Sequence, residues 1–523
     1  MGAESRDDVI TEKRLTTWEQ FHKTEDYWAI WLGALLLIFA LILVLAKPPA
    51  NLEKMDEYRV TMEQEMDRAG FRTIAYFEAE SAMNSVRARG EDPMKIIYAY
   101  TDRPKSWTSN PLPSIYLSES DAAAKRAAAA EKYAAAQAAT PLARAKAEEA
   151  EALAAAAGFQ DRQLNQQARA AIAEWRSAVD AESKAKAAAE TKAYNLIPSL
   201  IILMIILGLF FSIGLRFMGA KVRKFLIGFP VIFIIAAIAY LISEQATLKG
   251  FGFSYVLWAL IIGLLIANTI GTPKWVKPAV QTEYYIKTGL VLLGSGILIN
   301  KIALIGIPGI FVAWVVTPIV LVCTYWFGQN VIKVPSKELN ITVSSDMSVS
   351  GVSAAIATAA ACRAKKEELT LAIGMSMVFV AVMIFVIPAV ANAVGMHHVW
   401  AGAWIGGTVD NTGSVVAAGE LIGPAAMYTA ATIKMIQNIM IGAIAFGVAA
   451  YWALKVERER SGVAGQVDLT IGGALGEIWY RFPKFVLGFI GASVVFSILY
   501  ASAGEGWSQA MLDNGVLSWE SRF

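Results

Sequence analysis

A polar stretch lodged among long apolar runs, LNITVSSDMSVSGVSAAIATAAACRAKK from Leu339 to Lys366, carries basic residues at both ends. Lys333 and Lys337 precede its serine cluster; Arg363, Lys365 and Lys366 close it. Positive charge beside membrane segments marks the cytoplasmic side. Both ends therefore want the same side, which one full crossing cannot provide. The first half is crowded with Ser344, Ser345, Asp346, Ser348, Ser350 and Ser353, with Gly351 between the last two. The second half, Ala354 to Ala361, is mostly alanine and favours helix. A segment that enters, breaks at Ser348–Gly351 and returns fits this pattern. Irregular backbone at membrane depth survives only where protein or a water-filled cavity covers it.

A second stretch, AGAWIGGTVDNTGSVVAAGELIGP from Ala401 to Pro424, has similar make-up. It holds Thr408, Asp410, Asn411, Thr412 and Ser414, then turns into small helical residues. Paired broken helices in corresponding halves are the best sequence pointer to a transporter's binding site. The bland reading is that each is an ordinary polar loop, and the pairing argues against it. Overall 56% of the 523 residues are hydrophobic and 17% are charged. The net charge of +2 and the lack of a basic aromatic cluster leave no case for nucleic acid. Cys323 and Cys362 have no CxxC context and read as packing residues; His397 and His398 read as loop residues, so neither a metal nor a cofactor is expected.

The order of the chain gives five regions. Residues 1–27 form a cytoplasmic N-terminus, and 28–46 a first transmembrane helix, read as an uncleaved anchor. Residues 47–195 are a water-soluble, extracytoplasmic insertion, 196–501 the transmembrane core, and 502–523 a C-terminal tail. Within the insertion, 51–89 could be helical and 90–113 looks irregular. The alanine-dominated block from Asp121 to Tyr194 predicts a slender helical hairpin, with a new helix started by Pro141 and an interruption at Gly158-Phe159. With no Gly from Gln160 to Leu207, a nearly continuous helix is expected from Gln160 through Tyr194 to about Gly214, with Pro198 as the one kink candidate. The cluster Arg216, Lys221, Arg223 and Lys224 sets the end of that span as cytoplasmic. Alternation then places further spans at about 225–243, 252–270, 285–300, 304–327, 368–394, 425–453 and 485–501, and makes the two broken stretches enter from opposite faces.

The chemistry of the breaks follows from their residue types. A half-helix beginning near Ser350 presents free backbone N–H groups and a positive dipole end, which suits a small anion. Ser348, Ser350, Gly351 and Ser353, with Thr408, Asn411, Thr412 and Ser414 opposite, are the candidate solute ligands. The plainer alternative is that small serines only let helices approach. Asp410 and Asp346 are the candidate ion-coupling residues, since a carboxylate at membrane depth is costly and marks a proton or cation path; a loop aspartate at the water boundary is the rival reading. Lys434, inside TAATIKMIQNIM with Gln437 and Asn438 one turn on, can neutralise Asp410 or bind the anion.

The segments TGLVLLGSGILI (288–299), SVSGVSAAIATAAA (348–361), the GxxVxxxxxVVAAG pattern of 406–419 and PKFVLGF (483–489) resemble the bacterial sulfate exporter family. The likeness covers roughly 196–501, and S-V-x-G-x-S-A is its most specific element. Ser350 and Asp410-Asn411 stand where that family is expected to carry Cys and His-Glu, and the 47–195 insertion is absent from ordinary members. The resemblance implies an all-α polytopic membrane protein with an inverted-repeat transporter core. The expected function is secondary active transport of a small anionic solute (sulfate-, sulfonate- or carboxylate-like), coupled to H⁺ or Na⁺ by elevator-like alternating access. No nucleotide-binding motif suggests direct ATP drive, and no enzyme activity is expected. The expected setting is the bacterial inner membrane, as a homodimer, with a possible protein partner for the outer helical domain. A membrane sensor built on a transporter-like core, or a channel, are the alternatives.

Overall fold

The computed structural model describes residues 16–250, 255–296, 309–456 and 476–518 apart from 477 and 481. The described chain is helical almost throughout, with one two-stranded pairing. Seven described helices are long and apolar enough to cross a membrane: Glu25–Ala46, Ile197–Phe217, Val222–Ser243, Gly309–Ile332, Lys366–Ala393, Pro424–Val456 and Phe485–Ala503. Leu257–Thr269 and Val352–Cys362 are shorter apolar helices, and Thr282–Ser295 is a short helix of mixed character. The junction of the expected spans 285–300 and 304–327, at residues 297–308, lies outside the described residues. The chain divides into two compact units, one of residues 1–35, 210–239 and 251–497, the other of 36–209, 240–250 and 498–523.

The first unit holds both broken stretches. Its helices approach closely at small residues, as membrane helices do without a hydrophobic drive between them. A Cβ on Gly402 would stand 2.5 Å from the Ala426 carbonyl oxygen, and one on Gly406 2.6 Å from that of Ala430. The pairing rises in step along both helices, so His398–Thr408 and Pro424–Asn438 run parallel. The N-terminal end is fastened electrostatically: Lys287 bridges Glu25 and, at 2.9 Å, Asp26.

The second unit holds the 47–195 segment. Glu119–Ala156 and Arg162–Ala189 form the expected antiparallel hairpin, with Thr140 against Ala178 and Arg126 reaching Thr191. Gly158 and Phe159 make the turn, both at left-handed φ (60° and 56°). Buried Ala143, Ala147, Ala154, Ala168, Ile172 and Trp175 pack against Phe71 and Ile74 at the junction of a second helix pair, Met55–Ala69 and Ile74–Ser85. Arg176 lies over the Phe77 ring at 4.3 Å, adding a cation–π contact that covers the thin alanine core.

Four expectations for this unit are corrected. The helix from Glu119 continues through Pro141 instead of restarting there, because alanine on both sides outweighs one lost hydrogen bond. The helix expected to run unbroken from Gln160 to Gly214 stops at Ala189; Tyr194–Asn195 pairs antiparallel with Tyr116–Leu117, and a new helix starts at Ile197. Pro198 sits in that helix's first turn, where its missing N–H costs nothing, so it starts a helix and does not kink one. The region 90–113 contains a helix, Met94–Tyr100. The described part of the 502–523 tail is helical and buried in this unit: Ala510, Met511, Leu512 and Val516 are fully covered, and Gly515 lies against Val44 and Ala88.

Candidate functional site

The first broken stretch is a re-entrant hairpin. Lys337–Ser345 continues through a wide final turn, Asp346–Ser350, and the chain reverses at Gly351 into Val352–Cys362. Gly351 has φ +60° and ψ −135°, a conformation open in practice to glycine alone. The arms lie side by side: Thr358 donates to Ser345 Oγ at 2.7 Å, and Thr342 meets Cys362 Sγ at 3.8 Å. The hairpin's ends also meet, because Ser336 at its entry hydrogen-bonds Glu368 just beyond its exit. All five flanking basic residues therefore gather at one end.

The second broken stretch reverses in the same manner. His398–Thr408 ends at an extended Val409, and Asn411 caps a returning helix, Thr412–Glu420. Asn411 Oδ1 accepts from Gly413 N at 2.9 Å and from Ser414 N at 3.4 Å. At the base, His398 lies against Gly423. Lys366–Ala393, 28 residues long and so about 42 Å, connects the base of the first hairpin to the base of the second. The hairpins thus enter from opposite ends of that helix, and their tips meet between.

Three side chains of Pro424–Asn438 meet the first tip, and Asn438 bridges it to the second. Asn438 accepts from Ser350 Oγ at 2.6 Å through Oδ1, and donates from Nδ2 to Thr412 Oγ1 at 3.2 Å. Lys434 Nζ donates to the Val349 carbonyl at 2.9 Å and to Gln437 Oε1 at 2.6 Å. Gln437 Nε2 donates to the Ser348 carbonyl at 3.0 Å and to Thr317 Oγ1 at 2.9 Å. The turn at Ser348–Gly351 frees backbone carbonyls that lipid could not satisfy, and these amide and ammonium donors satisfy them. Lys434, Gln437 and Asn438 are each about 1% exposed.

Of the expected solute residues, Ser348, Ser350, Gly351, Asn411, Thr412 and Lys434 come together here, with Gly351 packed on Asp410 and Asn411. Ser414 joins through its backbone N–H in the cap. Ser353 and Thr408 do not join them. Ser353 is exposed and lines a cavity of about 340 Å³ with Lys287, Lys484 and Asp26; Thr408 is exposed at the end of its helix. Residue type alone could not place them, because the reversals at Gly351 and Val409 turn both out of the contact. The tips lie against each other, with Gly351 beside Asp410 and Asn411, and are buried.

Asp346 and Asp410 flank this contact, 0% and 1% exposed. Both Asp346 oxygens and Asp410 Oδ2 are buried without a hydrogen-bond partner in the protein, as is Ser348 Oγ. The Ser376 hydroxyl faces Asp346 without closing a hydrogen bond of good geometry. Asp410 lies within electrostatic reach of Lys434 and Asp346, yet the ammonium's hydrogen bonds go to Val349 and Gln437. Expected neutralisation of Asp410 by Lys434 is therefore through space and not by a closed ion pair. Thr317, Ser376 and Glu283, which accepts from Asn411 Nδ2 at 3.3 Å, were not legible as part of this site, since each comes from a separate helix.

Fold and site together define an all-helical, polytopic membrane protein with two opposed re-entrant hairpins. A family model described as Conserved hypothetical protein 698 matches residues 227–511. A UPF0324 membrane protein of Nitratidesulfovibrio vulgaris is 51% identical over 518 residues, covering 98% of this chain and 88% of that protein. The UPF0324 membrane protein NE0724 of Nitrosomonas europaea is 30% identical over 335 residues, covering 55% and 66% respectively. The UPF0324 inner membrane protein YeiH of Escherichia coli is 26% identical over 226 residues, 42% of this chain and 64% of that protein. The chain belongs to the UPF0324 membrane protein family. No solved structure matches it.

Proposed function

We propose that this protein is a secondary active transporter of a small anionic solute of the sulfate, sulfonate or carboxylate class, working by elevator-like alternating access. One observation carries the reading: two hairpin tips, entering from opposite ends, meet on Lys434, Gln437 and Asn438 beside two buried carboxylates. Unwound tips offer backbone N–H groups and hydroxyls to an anion, and Lys434 supplies the one fully buried positive charge among them. Breaking the Asn438 bridge is a small change that lets the tips part and admit solute. The opposed hairpins favour an inverted-repeat core. By analogy with YeiH, named an inner membrane protein, the setting is the bacterial inner membrane. Charge bias then puts the N-terminus inside and residues 47–195 outside.

The test is transport by the reconstituted protein. A thermal-stability screen of anions on purified protein selects the solute, and proteoliposomes then measure its uptake under imposed H⁺ and Na⁺ gradients. Saturable, gradient-dependent uptake that Asp410→Asn abolishes, with the variant still folded and inserted, is the expected result. Solute binding without flux under any gradient would replace the transporter by a sensor, and full ion-dependent flux in Asp410→Asn would remove that residue from the mechanism.

A further inference from the structure

We infer that Asp346, Asp410 and Ser376 form a binding site for one sodium ion, separate from the Lys434–Gln437–Asn438 contact that serves the solute. For the use made of the ion, the inference rests on the transporter reading; for the site itself, it does not.

Asp346 Oδ1 and Oδ2, Asp410 Oδ2 and Ser376 Oγ are all buried, and none has a hydrogen-bond partner in the protein. Asp346 and Ser376 are 0% exposed, and Asp410 is 1% exposed. Leaving such groups unmatched is among the costlier things a buried site can do. The Lys434 ammonium does not match them by hydrogen bonding, since it is committed to the Val349 carbonyl and Gln437.

The backbone adds to the demand for positive charge. Asp346 opens the last turn of the first hairpin's leading arm, and Asp410 stands two residues past the end of the second hairpin's leading arm. Asp346 therefore sits at a helix C-terminal end, where the dipole is negative and an acidic side chain is disfavoured, whereas Asp410 lies in the break between one arm's C-terminal end and the Asn411 cap of the returning helix. Two buried acids with unpartnered oxygens, brought together at these breaks, call for a cation. Carboxylates, hydroxyls and helix C-terminal carbonyls are the hard oxygen ligands that suit one, with no sulfur or imidazole in the set.

Charge decides the valence. Asp410 interacts electrostatically with both Lys434 and Asp346, and with all three groups ionised two carboxylates against one ammonium leave one negative charge in excess. Glu283 is half-buried and accepts a hydrogen bond from Asn411 of the second tip, so it stands outside the balance among the fully buried groups. A single monovalent cation restores neutrality, whereas a divalent ion would overshoot. Because Asp346 and Asp410 come from opposite hairpins, the ion would also tie the tips together, which couples its occupancy to their separation.

The experiment uses purified full-length protein in nanodiscs, with thermal unfolding followed at alkaline pH as NaCl replaces choline chloride at constant ionic strength. The expected result is a saturable rise in Tm with Na⁺. Asp346→Asn should abolish it, and Ser376→Ala should raise the half-saturating concentration about tenfold. Both variants are close in shape to the original, and a monodisperse elution profile checks that they fold. Equal Tm in Na⁺ and choline would overturn the proposal. So would a Na⁺ effect that survives Asp346→Asn, or a Tm rise on acidification alone that assigns the site to a proton. Sodium stabilisation without flux of any solute would remove the transporter reading and leave this site standing; H⁺-driven uptake indifferent to Na⁺ would do the reverse.

Discussion

Among the described residues Asn438 is the side chain that hydrogen-bonds to both hairpin tips, so its removal is the sharpest test of how the tips are held. Asn438→Ala deletes the bond from Ser350 Oγ and the bond to Thr412 Oγ1. Each is worth about 1 kcal/mol net in a protein interior, and nearer ~0.6 kcal/mol between membrane helices. The loss also strands two hydroxyls in a site where Ser350 is 6% and Thr412 8% exposed, adding roughly 1 kcal/mol. The expected cost is about 2 kcal/mol, close to a thirtyfold change in the unfolding equilibrium. Ser350→Ala removes one bond only and should cost about 1 kcal/mol. Because the two variants share a bond, the double variant should cost less than the two single costs added together, by about 1 kcal/mol. Thermal unfolding in nanodiscs, followed by tryptophan fluorescence, measures all four proteins. Strict additivity would show that the Ser350–Asn438 bond does not hold the tips, and the reasoning would fall with it.

Other consequences follow from backbone and charge. Gly351→Ala should cost about 1–3 kcal/mol through conformation alone, since a Cβ there meets nothing nearer than 3.6 Å; a variant as stable as the original would refute the φ argument. Pro141→Ala should raise the stability of the 119–156 helix by up to about 3 kcal/mol, read as slower amide exchange across residues 136–145; unchanged exchange would count against the cost assigned to Pro141. At Glu244, burial alone would raise the pKa, but hydrogen bonds from Lys249 and Ser106 outweigh it and hold the carboxyl below its ordinary 4.5. A lowered folded-state pKa contributes stability above the ordinary value that is lost as pH falls through the folded value. Acidification should therefore loosen the contact of Trp107 with Leu241 and Glu244, and Glu244→Gln should flatten that acid response at a cost below about 1 kcal/mol. An acid response unchanged by Glu244→Gln would assign it to another group.

What could be read from the sequence, and what could not, divides along a physical line. The hairpins were legible because their signals are local and chemical: basic residues at both ends of 339–366, hydroxyls and a glycine where the chain must turn, and one lysine inside an apolar run. These residues are costly in lipid wherever they lie, so their presence alone implies a covered site. Direction was harder. Ser353 is as plausible a ligand by type as Ser350, yet a glycine at φ +60° between them sends one to Asn438 and the other to an exposed cavity wall. The break at 190–196 was invisible for a related reason. Absence of glycine permits a helix, but what ends this one is pairing with Tyr116–Leu117, far away in sequence and supplied only by the fold. Pro141 erred the other way: a strong local breaker is overruled by alanine on both sides and by the partner helix that packs along it. Ser376 was the hardest to find, being one polar residue in a long apolar helix that small-residue packing explains just as well. It gains meaning only once the fold sets it opposite Asp346, since a buried hydroxyl and a buried carboxylate that fail to satisfy each other both point to the same missing positive charge.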